Sequence, residues 1–249
     1  RLSILDTSSA GHEPMSYANG RYWLTFNGEI YNYLELKKEL GSASYATGTD
    51  AEVLLRAYHT WGVECVKKFN GIFAFAIWDT KEKTLFCARD HIGVKPFHYA
   101  KTPDTFYFAS EIKALLAGGF PTKPNEKIIY EYLAHGVYDH SEETFFDGVY
   151  QVPAGHTLTV KNGNVTVAPF WKLSEKVWDT RGWSDEKTED TFKELFDDAV
   201  KIQLRSDVPV GLHVSGGIDS SILAHAIDRA NQGQKNFRMF SFAYAGSAY

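Results

Sequence analysis

The sequence predicts a β-rich α+β domain followed by the beginning of a parallel α/β domain. Aromatic residues make up 15% of the chain, which is typical of a fold with much sheet. Short strand-like runs dominate residues 1–170, whereas a long amphipathic helix and a strand–turn–helix pattern follow residue 186. With 249 residues the chain is long enough for two ordinary domains. We expect the first at 1–170, a linker at 171–185 and the second at 186–249.

The overall composition excludes several classes of function. The formal net charge is −5, from 26 Lys+Arg against 31 Asp+Glu, and no basic run suggests a nucleic-acid partner. No apolar segment is long enough for a membrane span, and no signal peptide is visible. Only two cysteines occur, so we expect a reducing compartment, the cytoplasm, without a disulfide framework. Because the chain opens without Met and closes just after an apolar run, we also expect a fragment.

The first domain combines strands with a few helices. Tyr22–Phe26 is predicted as a strand that runs into a turn at Asn27-Gly28. Asn162-Gly163 between two alternating runs predicts a β-hairpin. The remaining predicted strands are 73–78, 84–88, 106–109, 156–160 and 165–167, and the predicted helices are 33–40, 51–61 and 125–134.

The second domain starts with an amphipathic pattern that predicts a helix over 186–205. The apolar run 210–214 then leads into Ser215-Gly-Gly-Ile-Asp-Ser-Ser221, and a helical pattern follows. A strand, a Gly-rich turn and a helix N-terminus form an anion site, because free backbone N–H groups and the helix dipole point at the ligand. The alternative is an ordinary turn into a helix, which Gly and Ser also favour.

The loop is not a Walker A loop, since that motif requires a Lys that is missing here. The pattern Ser-Gly-Gly-x-Asp-Ser resembles instead the pyrophosphate loop of ATP pyrophosphatases. The resemblance implies cleavage of ATP to AMP and pyrophosphate.

The first domain also carries residues suited to acyl transfer. The Asn27 side chain beside the Gly28 N–H gives two donors, the minimum that an oxyanion hole requires. Arg1 with Glu29 and Asp50 would suit a zwitterionic amino acid, the Arg taking the carboxylate and the acids the ammonium. Each residue also has an ordinary interpretation: Asn-Gly marks turns, and Asp50 could be a helix N-cap.

Many motifs, in order along nearly the whole chain, resemble glutamine-hydrolysing asparagine synthetase. They are Arg1-Leu-Ser-Ile-Leu-Asp6, Gly11-His-Glu-Pro-Met15, Asn27-Gly-Glu-Ile-Tyr-Asn32, Thr47-Gly-Thr-Asp50, Gly71-Ile-Phe-Ala-Phe-Ala76, Ala88-Arg-Asp-His-Ile-Gly93, Phe108-Ala-Ser-Glu-Ile-Lys113, Pro153-Ala-Gly-His156 and the Ser215–Ser221 loop. The resemblance implies an N-terminal-nucleophile αββα sandwich with two mainly antiparallel sheets, a glutaminase, joined to an ATP-pyrophosphatase synthetase domain. The substrates would be glutamine, aspartate and ATP, with Mg²⁺, and a homodimer is left open.

The same resemblance assigns residues to two sites. Asn27 and Gly28 would form the oxyanion hole, and Arg1, Ile4, Asn27, Glu29 and Asp50 would hold glutamine. ATP would be held by Ser215, Gly216, Gly217, Ile218, Asp219, Ser220 and Phe242. Asp219 would also meet Mg²⁺ together with the pyrophosphate.

The sequence departs from the family at the nucleophile, and three alternative functions stay open. The family's nucleophile is an N-terminal Cys that this chain lacks, and Cys65 and Cys87 are interpreted as packed thiols. We therefore expect a fragment without the N-terminal Cys segment and without most of the synthetase domain. The alternatives are an amidotransferase for another carboxylate, such as a sugar acid, a cyclase like β-lactam synthetase or a lasso-peptide cyclase with an inert first domain, and a regulatory pseudo-enzyme.

Overall fold

In a computed structural model, which describes residues 3–41, 44–175, 177–231 and 237–242, the chain forms two compact units. Ser8–Val177 belong to the first unit. The second unit contains the chain from Trp178 onward together with the short segment Ile4–Thr7. No helix in the described ranges is long and apolar enough to cross a membrane.

A six-stranded antiparallel sheet forms the centre of the first unit. Its strand order is β1-β2-β3-β4-β8-β9. The strands are β1 Met15–Tyr17, β2 Tyr22–Ile30, β3 Gly71–Asp79, β4 Thr84–Arg89, β8 His156–Lys161 and β9 Asn164–Pro169. The two predicted hairpins, β3–β4 and β8–β9, are confirmed. Asn162 and Gly163 both have positive φ (50° and 76°), as a tight hairpin turn requires.

The two faces of this sheet bury different layers, because side chains alternate along each strand. On β3 the large residues Phe73, Phe75 and Ile77 share a core with helix α2, Asp50–Trp61, and with helix α1, Tyr33–Glu39. The small residues Ala74 and Ala76 face the opposite side. Strand β3 is thus buried on both faces, with large side chains toward the helices and small side chains toward the opposite layer.

A second antiparallel sheet covers that other face. Its order is β6-β5-β7, from β5 His98–Lys101, β6 Phe106–Ala109 and β7 Val149–Gln151. Phe106 and Phe108 pack toward the first sheet, whereas Tyr107 and Ala109 pack toward helix α3, Ile112–Ala117. Helix α4, Glu126–His135, follows. The layers run helix, sheet, sheet, helix, which confirms the predicted αββα sandwich.

The second unit is a small β–α–β arrangement. Strands β10, Gly211–His213, and β11, Arg238–Phe240, pair in parallel, and helix α6, Ile218–Asn231, lies between them in the chain. Helix α5, Asp185–Gln203, contributes Phe196 and Val200 to the same core. Parallel pairing through a crossover helix is the predicted start of an α/β domain.

Two local predictions were wrong. Asn27-Gly28 is not a turn, because β2 continues through it to Ile30 in unbroken register with β3. Gly28 makes the extension possible by adopting φ +151°. Asp50 is not the N-cap of α2: Thr49 is the cap, its hydroxyl accepting the N–H of Glu52, whereas the Asp50 carboxylate accepts the N–H of Ile30 on β2.

Candidate functional site

Gly28 lies where the backbones of β2 and β3 approach so closely that no side chain fits. A Cβ on Gly28 would lie 2.1 Å from the carbonyl oxygen of Ile72 and 2.7 Å from the Cα of Phe73. Its φ of +151° is also a conformation that other residues rarely adopt. The position therefore requires glycine, and its N–H is not shielded by a side chain of its own.

The direction of the Gly28 N–H follows from its strand partner. Gly28 is paired with Phe73. The Phe73 N–H donates to Asp90 Oδ2 at 3.2 Å, and the Phe73 carbonyl accepts the N–H of Asp90 at 2.8 Å. Both backbone groups of Phe73 thus point away from β2. In an antiparallel pair, residues directly opposite either bond each other or both turn away, so the Gly28 N–H points away from β3.

The edge toward which Gly28 points is lined by carboxylates. Two residues before it, the Phe26 N–H donates to Glu13 Oε2 at 2.7 Å, and two residues after it, the Ile30 N–H donates to Asp50 Oδ2 at 2.8 Å. Strand β1 pairs with β2 only as far as Leu24. The Gly28 N–H is therefore directed to a strand edge that β1 leaves uncovered.

The side chain of Asn27 supplies a second donor from the neighbouring position. Residues 25, 27 and 29 of β2 face the second sheet, since Leu24, Phe26 and Ile30 belong to the core on the helix side. Asn27 Nδ2 donates to Ser110 Oγ at 3.2 Å. Both residues line a cavity of about 400 Å³. A side-chain amide and a backbone N–H on consecutive residues are donors of the kind that stabilise an oxyanion.

The partly buried carboxyl group of Glu29 and the buried carboxyl group of Asp50 form a pair beside these donors. The pKa of Glu29 is raised to about 7, mainly by burial and also by the charge of Asp50, against a lowering influence of Lys95. Burial also raises the pKa of Asp50 to about 6, opposed by the N–H groups of Ile30, Asp50 and Ala51. Within the described ranges, the buried Glu29 Oε1 accepts no hydrogen bond. A cationic ligand would satisfy that oxygen and offset both carboxylate charges.

Two further residues, Arg1 and Ile4, are predicted for the glutamine site. Arg1 lies outside the described residues. Ile4 is grouped with the second unit, where its carbonyl accepts the N–H of Asp207 at 3.0 Å. The roles assigned to both residues stay predictions.

Neither cysteine is suited to nucleophilic chemistry. Cys65, in a 3₁₀ segment Gly62–Lys68, and Cys87, in β4, are both 0% exposed. Burial raises the pKa of each thiol well above its ordinary value, so that neither forms a thiolate near neutral pH.

The predicted ATP loop connects β10 to α6. Gly216 has φ +81° and open space around it, and α6 begins at Ile218. The first N–H groups of α6 therefore face the loop without acceptors in the helix. The loop hydroxyls form hydrogen bonds within the loop: Ser215 Oγ lies 3.2 Å from Ser220 Oγ, and Ser221 Oγ donates to the Gly217 carbonyl at 2.9 Å. Loop residues 215–219 are exposed.

Aromatic rings and one carboxylate complete the surroundings of the loop. His213, the last residue of β10, and Phe242 have rings that are parallel within 4°, with centroids 6.2 Å apart. Phe242 is 89% exposed, which leaves its faces available to a planar ligand. Asp219 lies in the first turn of α6. No group of three or more His, Cys, Asp or Glu side chains that could hold a metal occurs in the described part of the chain.

Several contacts of the first site have no sequence signal. Glu13 and Ser110 lie in motifs that carry the family resemblance, but the sequence assigns neither residue a role. Glu13 reaches the backbone of Phe26, and Ser110 reaches Asn27 across 83 residues, pairings that only the folded sheets create.

Comparison with known protein families identifies the first unit. Residues 1–171 match the family described as glutamine amidotransferase domain. The chain belongs to that family. Residues 191–249 of this amidotransferase chain also match the family described as asparagine synthase. The resemblance inferred from the ordered motifs is thereby confirmed.

Relatives of this glutamine amidotransferase extend over most of its length. It is 35% identical to asparagine synthetase [glutamine-hydrolyzing] 1 of Bacillus subtilis, over 95% of this chain and 37% of that protein. It is 36% identical to putative asparagine synthetase [glutamine-hydrolyzing] 2 of Methanocaldococcus jannaschii, over 99% of this chain and 50% of that protein. The chain thus spans half or less of the length of these relatives.

Relatives with another name reach nearly the same identity. Amidase chry2 of Gibberella zeae is 34% identical over 94% of this chain. Among solved structures, glutamine phosphoribosylpyrophosphate amidotransferase of B. subtilis matches 94% of this chain and 49% of its own, with a TM-score of 0.49 and 18% identity.

Proposed function

We propose that the chain is the glutaminase domain and the beginning of the synthetase domain of a glutamine-dependent asparagine synthetase. The observation that carries the proposal is the arrangement on β2 of the Asn27 amide, the outward Gly28 N–H and the buried, unpartnered Glu29 oxygen, with Asp50 beside them. The domains would be 1–170 and 186–249, joined by a linker at 171–185.

In the first domain, the α-ammonium group of glutamine would bind Glu29 and Asp50, and Arg1 would bind its α-carboxylate. A cysteine thiolate would attack the amide carbon, and the negative charge on the amide oxygen would be stabilised by Asn27 and Gly28. Ammonia would leave, and water would then hydrolyse the thioester to glutamate. Since Cys65 and Cys87 are buried, neither is a candidate for the nucleophile, which would come from outside this sequence.

In the second domain, the pyrophosphate portion of ATP would bind the loop Ser215–Ser220. The phosphate oxygens would accept hydrogen bonds from the N–H groups at the start of α6. They would also accept from the serine hydroxyls, which in this structure form hydrogen bonds within the loop. The adenine would stack on Phe242. The aspartate side-chain carboxylate would attack the α-phosphorus with loss of pyrophosphate, and ammonia would then displace AMP to give asparagine.

Magnesium fits this site only together with the nucleotide. Asp219 offers one carboxylate, and the described residues hold no preformed group of ligands. Mg²⁺ usually keeps several waters and takes few protein ligands beside phosphate oxygens. Bound in this way it would neutralise charge on the departing pyrophosphate.

The test is an amidation assay of the full-length protein with glutamine and MgATP, in which aspartate, a sugar acid and no acceptor are compared. We expect glutamate, asparagine, AMP and pyrophosphate in equal amounts with aspartate. If only the sugar acid were amidated, the sugar acid and not aspartate would be the acceptor. AMP formation without any glutamate would favour a cyclase, and inactivity in both half-reactions would favour a regulatory pseudo-enzyme.

A further inference from the structure

Ser110 connects the two sheets of the sandwich at the candidate oxyanion hole. It follows β6 of the second sheet directly, while Asn27 lies on β2 of the first sheet. The Asn27 Nδ2 group donates to Ser110 Oγ at 3.2 Å, in a partly buried position at the cavity that both residues line. No other side-chain hydrogen bond of Asn27 is seen in the described ranges.

The backbone of Ser110 is held from the opposite side. His98 of β5 is paired with Ala109, and its ring Nδ1 lies 3.0 Å from the Ser110 carbonyl oxygen. Because a carbonyl only accepts, Nδ1 must carry the proton of this hydrogen bond. Burial is the main cause that lowers the pKa of His98, which keeps the ring neutral near pH 7. Ser110 is therefore fixed by β6 and by the His98 ring.

We propose that Ser110 is a positioning residue, which orients the Asn27 amide for stabilisation of the oxyanion. The amide NH₂ group has two hydrogens, and Ser110 takes one of them. Fixing the first hydrogen fixes the rotation of the amide and hence the direction of the second. Donors that are oriented before charge develops need no reorganisation during the reaction, and this is the source of their effect on rate. The inference rests on the proposed glutaminase function.

The experiment compares Ser110→Ala and Ser110→Thr in the full-length protein, by steady-state glutamine hydrolysis. For Ser110→Ala we expect kcat to fall about tenfold, less than loss of an oxyanion donor costs, with KM for glutamine within about twofold. Ser110→Thr keeps the hydroxyl and should keep most of the activity. Ser16→Ala, the same chemical change at an exposed position of strand β1, is the control and should not change either constant. Synthesis from free ammonia should be unaffected in all three variants.

A double-mutant cycle with Asn27→Ala separates positioning from a general structural role. If Ser110 acts through Asn27, then Ser110→Ala should lower kcat no further in the Asn27→Ala background. Three results would overturn the positioning role while leaving the glutaminase proposal intact. The reductions in kcat caused by Ser110→Ala and Asn27→Ala could multiply in the double variant, Ser110→Ala could lower ammonia-dependent synthesis in parallel, or Ser110→Ala could keep full activity. If Asn27→Ala itself left kcat unchanged, the oxyanion assignment would fail as well.

Discussion

The candidate glutamine site and the candidate ATP loop are built in opposite ways. The candidate glutamine site collects residues from distant parts of the first unit, and its carboxyl groups are largely shielded from solvent: Asp50 is 6% exposed and Glu29 is partly buried. The candidate ATP loop is one continuous, largely exposed stretch whose serine hydroxyls form hydrogen bonds within the loop. One site depends on the register of two sheets, whereas the other depends on a local turn.

This difference determines how much change each site tolerates. At Gly28 the neighbouring strand leaves no room for a single methyl group, and at Gly216 nothing lies within 4 Å of the same added atom. The surroundings of the carboxyl groups also differ between the two sites. Burial raises the pKa of Glu29 to about 7 in the first site, whereas the loop carries its carboxylate, Asp219, on an exposed first turn.

The largest expected effect is the contrast between Gly28→Ala and Gly216→Ala. The first change forces a methyl group against the Ile72 carbonyl and should lower the free energy of unfolding by about 3 kcal/mol. The second adds only the strain of a left-handed alanine, about 1 kcal/mol. Urea unfolding of both variants measures the difference. Equal losses would show that the close approach of β2 and β3 is not a constraint on the fold.

The next effect concerns Asp219→Asn in the full-length protein. Loss of the carboxylate should slow pyrophosphate release about 100-fold or more, since metal-assisted charge stabilisation amounts to several kcal/mol. Glutamine hydrolysis should continue. Glu189→Gln, on helix α5, is a control of the same charge change away from the loop. Pyrophosphate release at the unaltered rate would remove Asp219 from the ATP site.

The same contrast explains what the sequence could predict. The candidate ATP loop could be predicted directly, because all its residues are adjacent and their flanking strand and helix are visible in the hydrophobic pattern. The alternating strands also predicted the two hairpins correctly. The candidate glutamine site could be predicted only through the family resemblance. Taken locally, Asn27-Gly28 is typical of a turn and Thr49-Asp50 is typical of a helix N-cap.

The errors arose where distant strands override local preferences. Asn27-Gly28 favours a turn by composition, but pairing along the whole of β3 keeps it extended. The contacts of Glu13 with Phe26 and of Ser110 with Asn27 depend on how strands are ordered in the two sheets. The short strands β5 and β7, with four and three residues, were not predicted, whereas the equally short β6 was, because three of its four residues are aromatic.

A smaller effect is expected from Asp50→Asn, which removes the charge but keeps an acceptor for the Ile30 N–H. Loss of a charge-assisted hydrogen bond to the ligand ammonium should raise KM for glutamine by about 10-fold to 100-fold. Ammonia-dependent synthesis should remain unchanged. Steady-state kinetics with each nitrogen donor are the measurement, and an equal fall in both activities would make Asp50 a structural residue only.

The smallest effect is the pH dependence that the buried carboxyl pair gives to the first unit. The pKa values of Glu29 and Asp50, about 7 and about 6, are raised above the ordinary values of 4.5 and 3.8. Between pH 4 and 7 the folded protein therefore binds more protons at these groups than the unfolded chain does. Their contribution must make the free protein less stable as pH rises through this window.

Glutamine reverses that trend, because its ammonium group favours both carboxylates in the charged form. We expect KM for glutamine to rise as pH falls below about 7, where Glu29 begins to be protonated. Glu29→Gln removes the group with the higher pKa, so the midpoint of the remaining pH dependence should move down toward the pKa of Asp50, about 6. Kinetics and thermal unfolding across pH 5–8, with and without glutamine, measure both trends. A pH profile identical in the variant would mean that Glu29 does not meet the ammonium group.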